Sequence, residues 1–501
     1  MSAPPAITFS SRRGRWVLVA TILGSGIAGL TATVVNVALP AIGRDLDTTT
    51  AGLQWILNGY LLPLAALILL GGSLGDRFGR RRVFLVGVVW FAAASALCGL
   101  APNISTLVAA RALQGVGAAL LAPGSLAILQ ASFAPGDRAR AIGAWSGLGG
   151  VATAVGPLLG GYLVEQGSWR WVFLLNLPLA VAVTVITRRY VPETLDPTVT
   201  GEIDIAGGLL GAVGLGGVTY ALIEAPGRGA TSPLVMLAGV AGVVGLAGFV
   251  AAERRGRHPL LPLDIFTSRQ FNGANFMTLA MYAALGGMFF LLATYLQTSL
   301  GYSPVESGLA LMPVTLLLLV LSAKAGVLAS HIGPRLPMTL GPLVVGAGLA
   351  LMARIQPGSS YTATVLPAAV VFGLGLALTV APLTATVLAA ADERHAGVAS
   401  GVNNAVARVA QLLAVAALPV LAGITGDDFT DPAAFASGFR TAAFLTAALA
   451  VVAAAVSWAT ITDDILAEKL VEPDADALAT DDHYHCAADG PPLRAVESPA
   501  S

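Results

Sequence analysis

Charge is scarce in this chain. Asp, Glu, Lys and Arg make up 11% of its 501 residues, against about 25% in a soluble domain, and the mean hydropathy is +0.79. That deficit excludes a soluble globular protein. Cysteine is nearly absent too. Cys98 falls in an apolar run and Cys486 in a polar tail, so no structural disulfide is expected. No Cys/His set has metal-ligand spacing, and the nearest case, Asp481 to Cys486, reads as solvated tail. There is no Gly-x4-Gly-Lys-Ser/Thr loop for a nucleotide, no dinucleotide fingerprint and no convergent catalytic set. An enzyme, a cofactor, ATP-driven transport and a nucleic-acid partner are therefore not expected. The longest polar piece is a tail of roughly 40 residues, too small for a folded sensor domain.

Long apolar runs fill the rest. A spanning helix needs about 20 mostly apolar residues, and that rule yields fourteen spans: 16–40, 52–71, 83–101, 105–130, 139–165, 170–188, 203–223, 232–252, 270–298, 303–327, 335–355, 362–390, 396–423 and 437–460. The runs are too long, and alternate too little, for barrel strands. With the N-terminus inside, the cytoplasmic loops hold Arg77, Arg80, Arg81, Arg82, Arg138, Arg140, Arg188, Arg189, Arg254, Arg255, Arg257, Arg269, Arg335 and Arg394. The opposite loops and span ends hold Arg44, Arg170, Arg228, Arg354 and Arg440. This bias places both termini in the cytoplasm of a multi-pass protein of the inner (cytoplasmic) membrane. The expected division is a cytoplasmic N-terminus (1–15), a six-helix bundle (16–190), two extra spans with linkers (191–260), a second six-helix bundle (261–460) and a disordered cytoplasmic tail (461–501).

The densest charge lies in Gly72-Ser73-Leu74-Gly75-Asp76-Arg77-Phe78-Gly79-Arg80-Arg81-Arg82, between two spans. Such a cluster does not enter hydrocarbon. Its glycines permit a sharp turn and its arginines mark the cytoplasmic face. Asp76 among them is expected to act as the acidic partner of a breakable latch. An incomplete copy runs from Gly326 to Arg335: Gly72 matches Gly326, Leu74 matches Leu328, Gly79 matches Gly333, Arg81 matches Arg335, and Ser330 stands at the Asp76 position. Parallel repeats mark transporters that rock two bundles around a midplane site.

In these motifs the chain resembles the major facilitator superfamily, in its fourteen-span drug:proton antiporter branch (EmrB/QacA type). The turn at Gly72–Arg82 resembles the superfamily's signature between spans two and three. Arg111-Ala112-Leu113-Gln114-Gly115-Val116-Gly117 resembles the span-four motif, and Gly156-Pro157-Leu158-Leu159-Gly160-Gly161 the span-five antiporter motif. Val34 to Pro40, Trp169-Arg170-Trp171 with Asn176-Leu177-Pro178, and Gly397 to Asn404 with Arg408 resemble further signatures of the branch. The resemblance implies an all-α major facilitator fold and proton-coupled export of drugs or antibiotics by alternating access, with a drug molecule, protons and the lipid bilayer as partners. A monomer is the expected functional unit. Thr31 is a departure, because the branch usually carries aspartate there.

Candidate residues follow. Gating falls to Gly72, Asp76, Arg77, Gly79, Arg80 and Arg81 in the turn and to Gly156, Pro157, Gly160 and Gly161 in span five, where small residues let helices close. Arg111, with Gln114, holds the position that the family links to proton coupling. Snorkelling to the interface or hydrogen bonding to backbone carbonyls are the structural alternatives. Thr31, Asn36, Gln54, Trp55, Asn58, Tyr60, Asn403, Asn404 and Arg408 are candidates to line the substrate path, with interhelical packing as the alternative. The middle of every span lacks Asp and Glu, which tilts the substrate toward neutral, zwitterionic or anionic compounds. An exporter or importer of an endogenous metabolite, with different or no proton coupling, is the alternative function, and a non-transporting membrane sensor a more remote one.

Overall fold

A computed structural model describes residues 7–195, 204–256, 260–390, 396–426, 428–429 and 431–467. The tail expected to be disordered lies outside the described residues beyond 467. The chain is all-α, and its fourteen long apolar helices are α1 (Arg12–Asp45), α2 (Thr50–Phe78), α3 (Arg80–Gly99), α4 (Ile104–Ser132), α5 (Pro135–Gln166), α6 (Trp171–Tyr190), α7 (Ile205–Arg228), α8 (Pro233–Arg255), α9 (Arg269–Thr298), α10 (Pro304–Ile332), α11 (Arg335–Met352), α12 (Tyr361–Ala389), α13 (Val398–Leu421) and α14 (Pro432–Thr460). Every expected span is present. Several helices overrun the apolar stretch that announced them. α1 has 34 residues and is about 50 Å long, longer than the hydrocarbon layer.

Local chemistry explains the helix starts. The Ser11 hydroxyl caps Gly14 N–H, Asn103 and Thr106 form a capping box on α4, Ser303 and Glu306 form another on α10, and Asp431 caps α14. Prolines 135, 233, 304 and 432 occupy first-turn positions, where no backbone donor is lost.

The helices pack as two bundles. In the first, α2 and α3 pack on α4 and α1 packs on α5; in the second, α9 packs on α13 and α14, and α12 on α10 and α11. The extra pair α7–α8 meets through glycine: a methyl on Gly217 would strike Ala238 and Gly242, and one on Gly245 would strike Gly214. This pair leans on α2 and α13. Leu209, Val213, Leu237, Val240, Val243 and Val244 stay exposed on it, an apolar rim suited to lipid.

The helices alternate in direction, so the bundle has an arginine-rich end, with Arg12, Arg77–Arg82 and Arg335, and a far end. The two bundles join at the far end. One buried apolar cluster runs through the second bundle and continues into Val34, Leu39, Ile42, Leu53 and Leu57 of the first. The other, with Ile7, Phe84 and Phe133, fills the arginine-rich part of the first bundle and takes in Leu412 of α13 and Leu215 of α7. Near that end of α5, methyl groups on Gly143, Gly147 or Gly150 would meet nothing. The bundles are sealed together at the far end, and toward the arginine-rich end α2 and α13 still meet, with Leu69 against Gly401.

Candidate functional site

Arg111 lies on α4 with no exposed surface. Its Nε donates to the Ile56 carbonyl of α2 at 3.0 Å and its Nη1 to Gln114 Oε1 at 2.5 Å. The guanidinium sits 4.3 Å from the Tyr60 ring centroid, and Phe173 is also near, at 5.9 Å. Gln114 Nε2 donates to Ser95 Oγ at 2.7 Å, and Asn176 Nδ2 reaches the same oxygen at 3.3 Å. The Thr31 hydroxyl closes the chain on Asn176 Oδ1 at 3.2 Å while also donating to the Ile27 carbonyl at 2.8 Å. Five helices, α1, α2, α3, α4 and α6, are thus tied by one buried polar network. Arg111 does not snorkel. Thr31 belongs to the network, but three neutral side chains separate it from Arg111. Among the described buried residues the charged ones are Arg111 and Glu253, and Glu253 lies at the arginine-rich end of α8. The cation at the heart of the first bundle has no carboxylate beside it.

The charged turn shows a partner that the sequence did not announce. Asp76 pairs with Arg80 of its own turn at 2.7 Å. Gly79 takes φ +110°, a conformation that disfavours any side chain, and a Cβ there would strike the Glu193 carboxylate. Glu193 Oε1 accepts from Arg81 N–H at 3.1 Å, and Oε2 lies 3.6 Å from both Arg81 and Arg82. Arg80 N–H donates to the Thr194 carbonyl at 3.0 Å, and Arg81 Nη1 to the Val191 carbonyl at 3.2 Å.

The copied turn repeats this scheme. Gly333 has φ +84° and faces Asp463, whose Oδ1 accepts from Arg335 N–H at 3.1 Å. Arg335 Nε donates to the Trp458 carbonyl at 3.1 Å, with its guanidinium 4.1 Å from that ring. Glu193 and Asp463 each stand three residues past the last helix of their bundle, Tyr190 and Thr460. Each holds the start of its bundle's third helix, where a carboxylate also favours the helix dipole. Asp76 is therefore not the turn's sole acid, and the missing counterpart at Ser330, which donates to its own helix at the Val327 carbonyl, does not leave the second turn without one. Glu193→Ala is expected to lower the unfolding temperature measurably, at a cost of about 1 kcal/mol because the pair is partly solvated, with a smaller loss in high salt. Asp463→Ala should do the same, and tryptophan-fluorescence melts of the detergent-purified protein check both.

The span-five motif lies at the far-end closure. Methyl groups on Gly156 and Gly160 would strike Thr33 and Val34 of α1, and one on Gly161 would strike the backbone of Pro304 on α10. Gly308 of α10 abuts the Pro157 carbonyl in return. Glu165 Oε2 accepts from Ser303 Oγ at 2.8 Å and from Val305 N–H at 3.2 Å. Gln297 Nε2 donates to the Val37 carbonyl at 2.9 Å, Gln54 Nε2 to the Val415 carbonyl at 2.8 Å, and Thr50 Oγ1 to the Gly426 carbonyl at 2.7 Å. Gln54 thus bridges the bundles.

The remaining candidates divide. Trp55 turns toward the extra helix α7, donating to Glu224 Oε1 at 2.9 Å and packing near Tyr220. Asn403 turns to α9, donating to Thr278 Oγ1 at 2.7 Å and to Asn275 Oδ1 at 3.2 Å. Asn404 is exposed, bonded to the Ser400 carbonyl of its own helix. Asn58 is fully buried and both its amide atoms lack a partner, as does Asn36 Oδ1. Gly72 faces Pro123 of α4, and Arg77 lies over the Phe78 ring at 5.8 Å. Arg408 donates Nη1 to Gln411 Oε1 at 3.1 Å and stands within electrostatic reach of Tyr60 and Tyr282. It is the candidate that brings charge from the second bundle toward Tyr60 of the first.

Two six-helix bundles sealed together at the far end, around a buried polar interior, define a membrane transporter with multiple spans. The chain belongs to the Major Facilitator Superfamily, whose sequence pattern matches residues 21–415. It is a transporter and not an enzyme. It is 39% identical over 428 residues to the "Tetracenomycin C resistance and export protein" of Streptomyces glaucescens, covering 84% of this chain and 79% of that one. It is 38% identical to the "Puromycin resistance protein pur8" of Streptomyces alboniger, with 84% and 86% covered. It is 37% identical to the "Multidrug resistance protein Stp" of Mycobacterium tuberculosis, with 80% and 74% covered. A crystal structure of the peptide transporter POT in complex with sulfate has the same fold, at TM-score 0.65 and 16% identity over 92% of this chain and 98% of that one.

Proposed function

We propose that the protein exports drugs or antibiotics across the cytoplasmic membrane by alternating access, driven by inward proton flow. The observation that carries the reading is the far-end seam, where Gly161 meets Pro304 and Gly308 meets Pro157, with Gly156 and Gly160 packing α5 on α1 beside it; the arginine-rich end is then the mouth. The names of the relatives, which concern resistance and export, support the direction and the cargo.

The arginine-rich end faces the cytoplasm in this reading, together with both chain termini. Substrate enters there and meets Arg408 and Tyr282, which are partly exposed. The bundles, about 16–190 and 261–460, then rock. The turns at Gly79 and Gly333 approach across the cytoplasmic mouth while the contacts of Gly161 with Pro304 and of Gln54 with Val415 part, and the substrate leaves. Arg111 cannot release its own proton. Its role is to hold α2 against α4 through the Ile56 carbonyl, so that a change at Gln114 or Tyr60 moves α2. The seam and the cleft are complete within one chain, which favours a monomer.

Proteoliposomes test the reading. An imposed pH gradient should drive uptake of a resistance-relevant drug into inside-out vesicles, with a matching proton flux reported by an internal pH dye. Drug movement indifferent to the gradient would remove the proton from the mechanism and leave export standing. Thr31, which leaves the Arg111 network without a carboxylate, is the observation that favours this second reading of uncoupled or differently coupled export.

A further inference from the structure

We infer that the cleft takes an organic anion, an aromatic compound bearing a carboxylate or an acidic phenol, with Arg408 as its counter-charge. The inference rests on the export reading and narrows the cargo.

Arg408 stands well inside α13, partly buried, and Gln411 is its hydrogen-bond partner among the described residues. The ion pairs among those residues join Arg80 to Asp76, Arg81 and Arg82 to Glu193, Arg170 to Asp45, and Arg228 to Glu224. All lie at helix ends or in linkers, and none includes Arg408. Each Asp and Glu of the described spans, from Asp45 to Glu306, falls within two turns of a helix end. No carboxylate of the spans can reach the middle to neutralise Arg408. Beneath Tyr60 the enclosed Arg111 adds a second positive charge, spent on Ile56 and Gln114 and closed off from the cleft.

The potential at Tyr60 is therefore positive from both bundles. A guanidinium out of bulk water without a counter-ion is costly, and a carboxylate or phenolate removes that cost with charge-assisted hydrogen bonds. A cation placed there meets repulsion and finds no acid. Tyr282, partly exposed, supplies ring surface for an aromatic scaffold.

The test compares one scaffold in three forms: an anthraquinone carboxylate, its methyl ester, and a derivative carrying two quaternary ammonium groups. Wild-type proteoliposomes should move the acid at least about tenfold faster than the ester, the size of one charge-assisted contact. Arg408→Gln should bring that ratio close to one, and Arg408→Lys should keep it well above one. The acid, and not the ester, should also raise the melting temperature of wild-type protein, which keeps the test decisive if Arg408→Gln fails to fold. A ratio near one in wild type, an unchanged ratio in Arg408→Gln, or faster movement of the dication would overturn the inference while leaving export intact. Acid that stabilises the protein but is not transported would uphold the anion site and defeat the export reading instead.

Discussion

Arg111→Ala is expected to abolish transport and to lower the unfolding temperature by several degrees. The guanidinium holds three kinds of contact at once: the Ile56 carbonyl, Gln114 Oε1 and the face of Tyr60. Alanine leaves a cavity and strips Gln114 of its donor, and Ser95, Asn176 and Thr31 then share a chain with one end missing. Leaving the buried Ile56 carbonyl and Gln114 Oε1 without their donor costs about 1–3 kcal/mol for each acceptor. Arg111→Lys should not rescue, because one ammonium cannot satisfy both acceptors while lying flat on a ring. Unfolding followed by tryptophan fluorescence measures the first effect. Drug tolerance conferred on a pump-deficient host, corrected for membrane expression, measures the second. Near-normal tolerance with Arg111→Lys would show that the position needs only a positive charge.

Gly161→Val carries the second large effect, and it acts on conformation. The added branches strike the Pro304 backbone, which cannot yield as a flexible side chain would. Overpacking of this kind costs about 1–3 kcal/mol, and it falls on the far-closed state alone. That difference shifts a two-state population by roughly 5–150-fold. The variant should therefore dwell open at the far end and transport at least about tenfold more slowly. A cysteine placed at Gln54, which is 2% exposed at the closed seam, should react faster with a membrane-impermeant thiol reagent in Gly161→Val than in the unmodified background. Native Cys98 is buried and gives little signal of its own. Equal labelling rates in the two backgrounds would mean that Gly161 does not hold the closure.

Hydropathy carried most of the fold. The fourteen apolar runs reappear as fourteen helices, because a bilayer obliges the backbone to satisfy its own hydrogen bonds. The helix ends were less legible. α1 continues from 40 to Asp45, and α2 runs to Phe78 through the glycines and Asp76, since helix geometry does not stop where the hydrocarbon does. The site was legible where glycine and arginine stand out against an apolar background, as at Gly79, Arg111 and Gly161. It was illegible where neutral polar groups meet across long separations: Ser95, Gln114, Asn176 and Thr31 come from four helices, and only folding makes them neighbours. Trp55 looked like a lining residue beside Asn58, yet helical rotation turns it toward Glu224. Glu193 was hidden in an ordinary linker. Its one sequence signal is spacing, for it follows its bundle by the same three residues as Asp463.

That pair of trailing acids has a consequence for how such a protein can change over generations. Each bundle fastens its own last segment to its own third helix, without borrowing a group from the other bundle. The hinge hardware is thus self-contained and sits far from Tyr60, Arg408 and Gln411. Substitutions that retune what is carried need not disturb the parts that make the carrier move. A lineage facing a new toxic compound can revise the lining of the cleft one side chain at a time and still inherit a working machine.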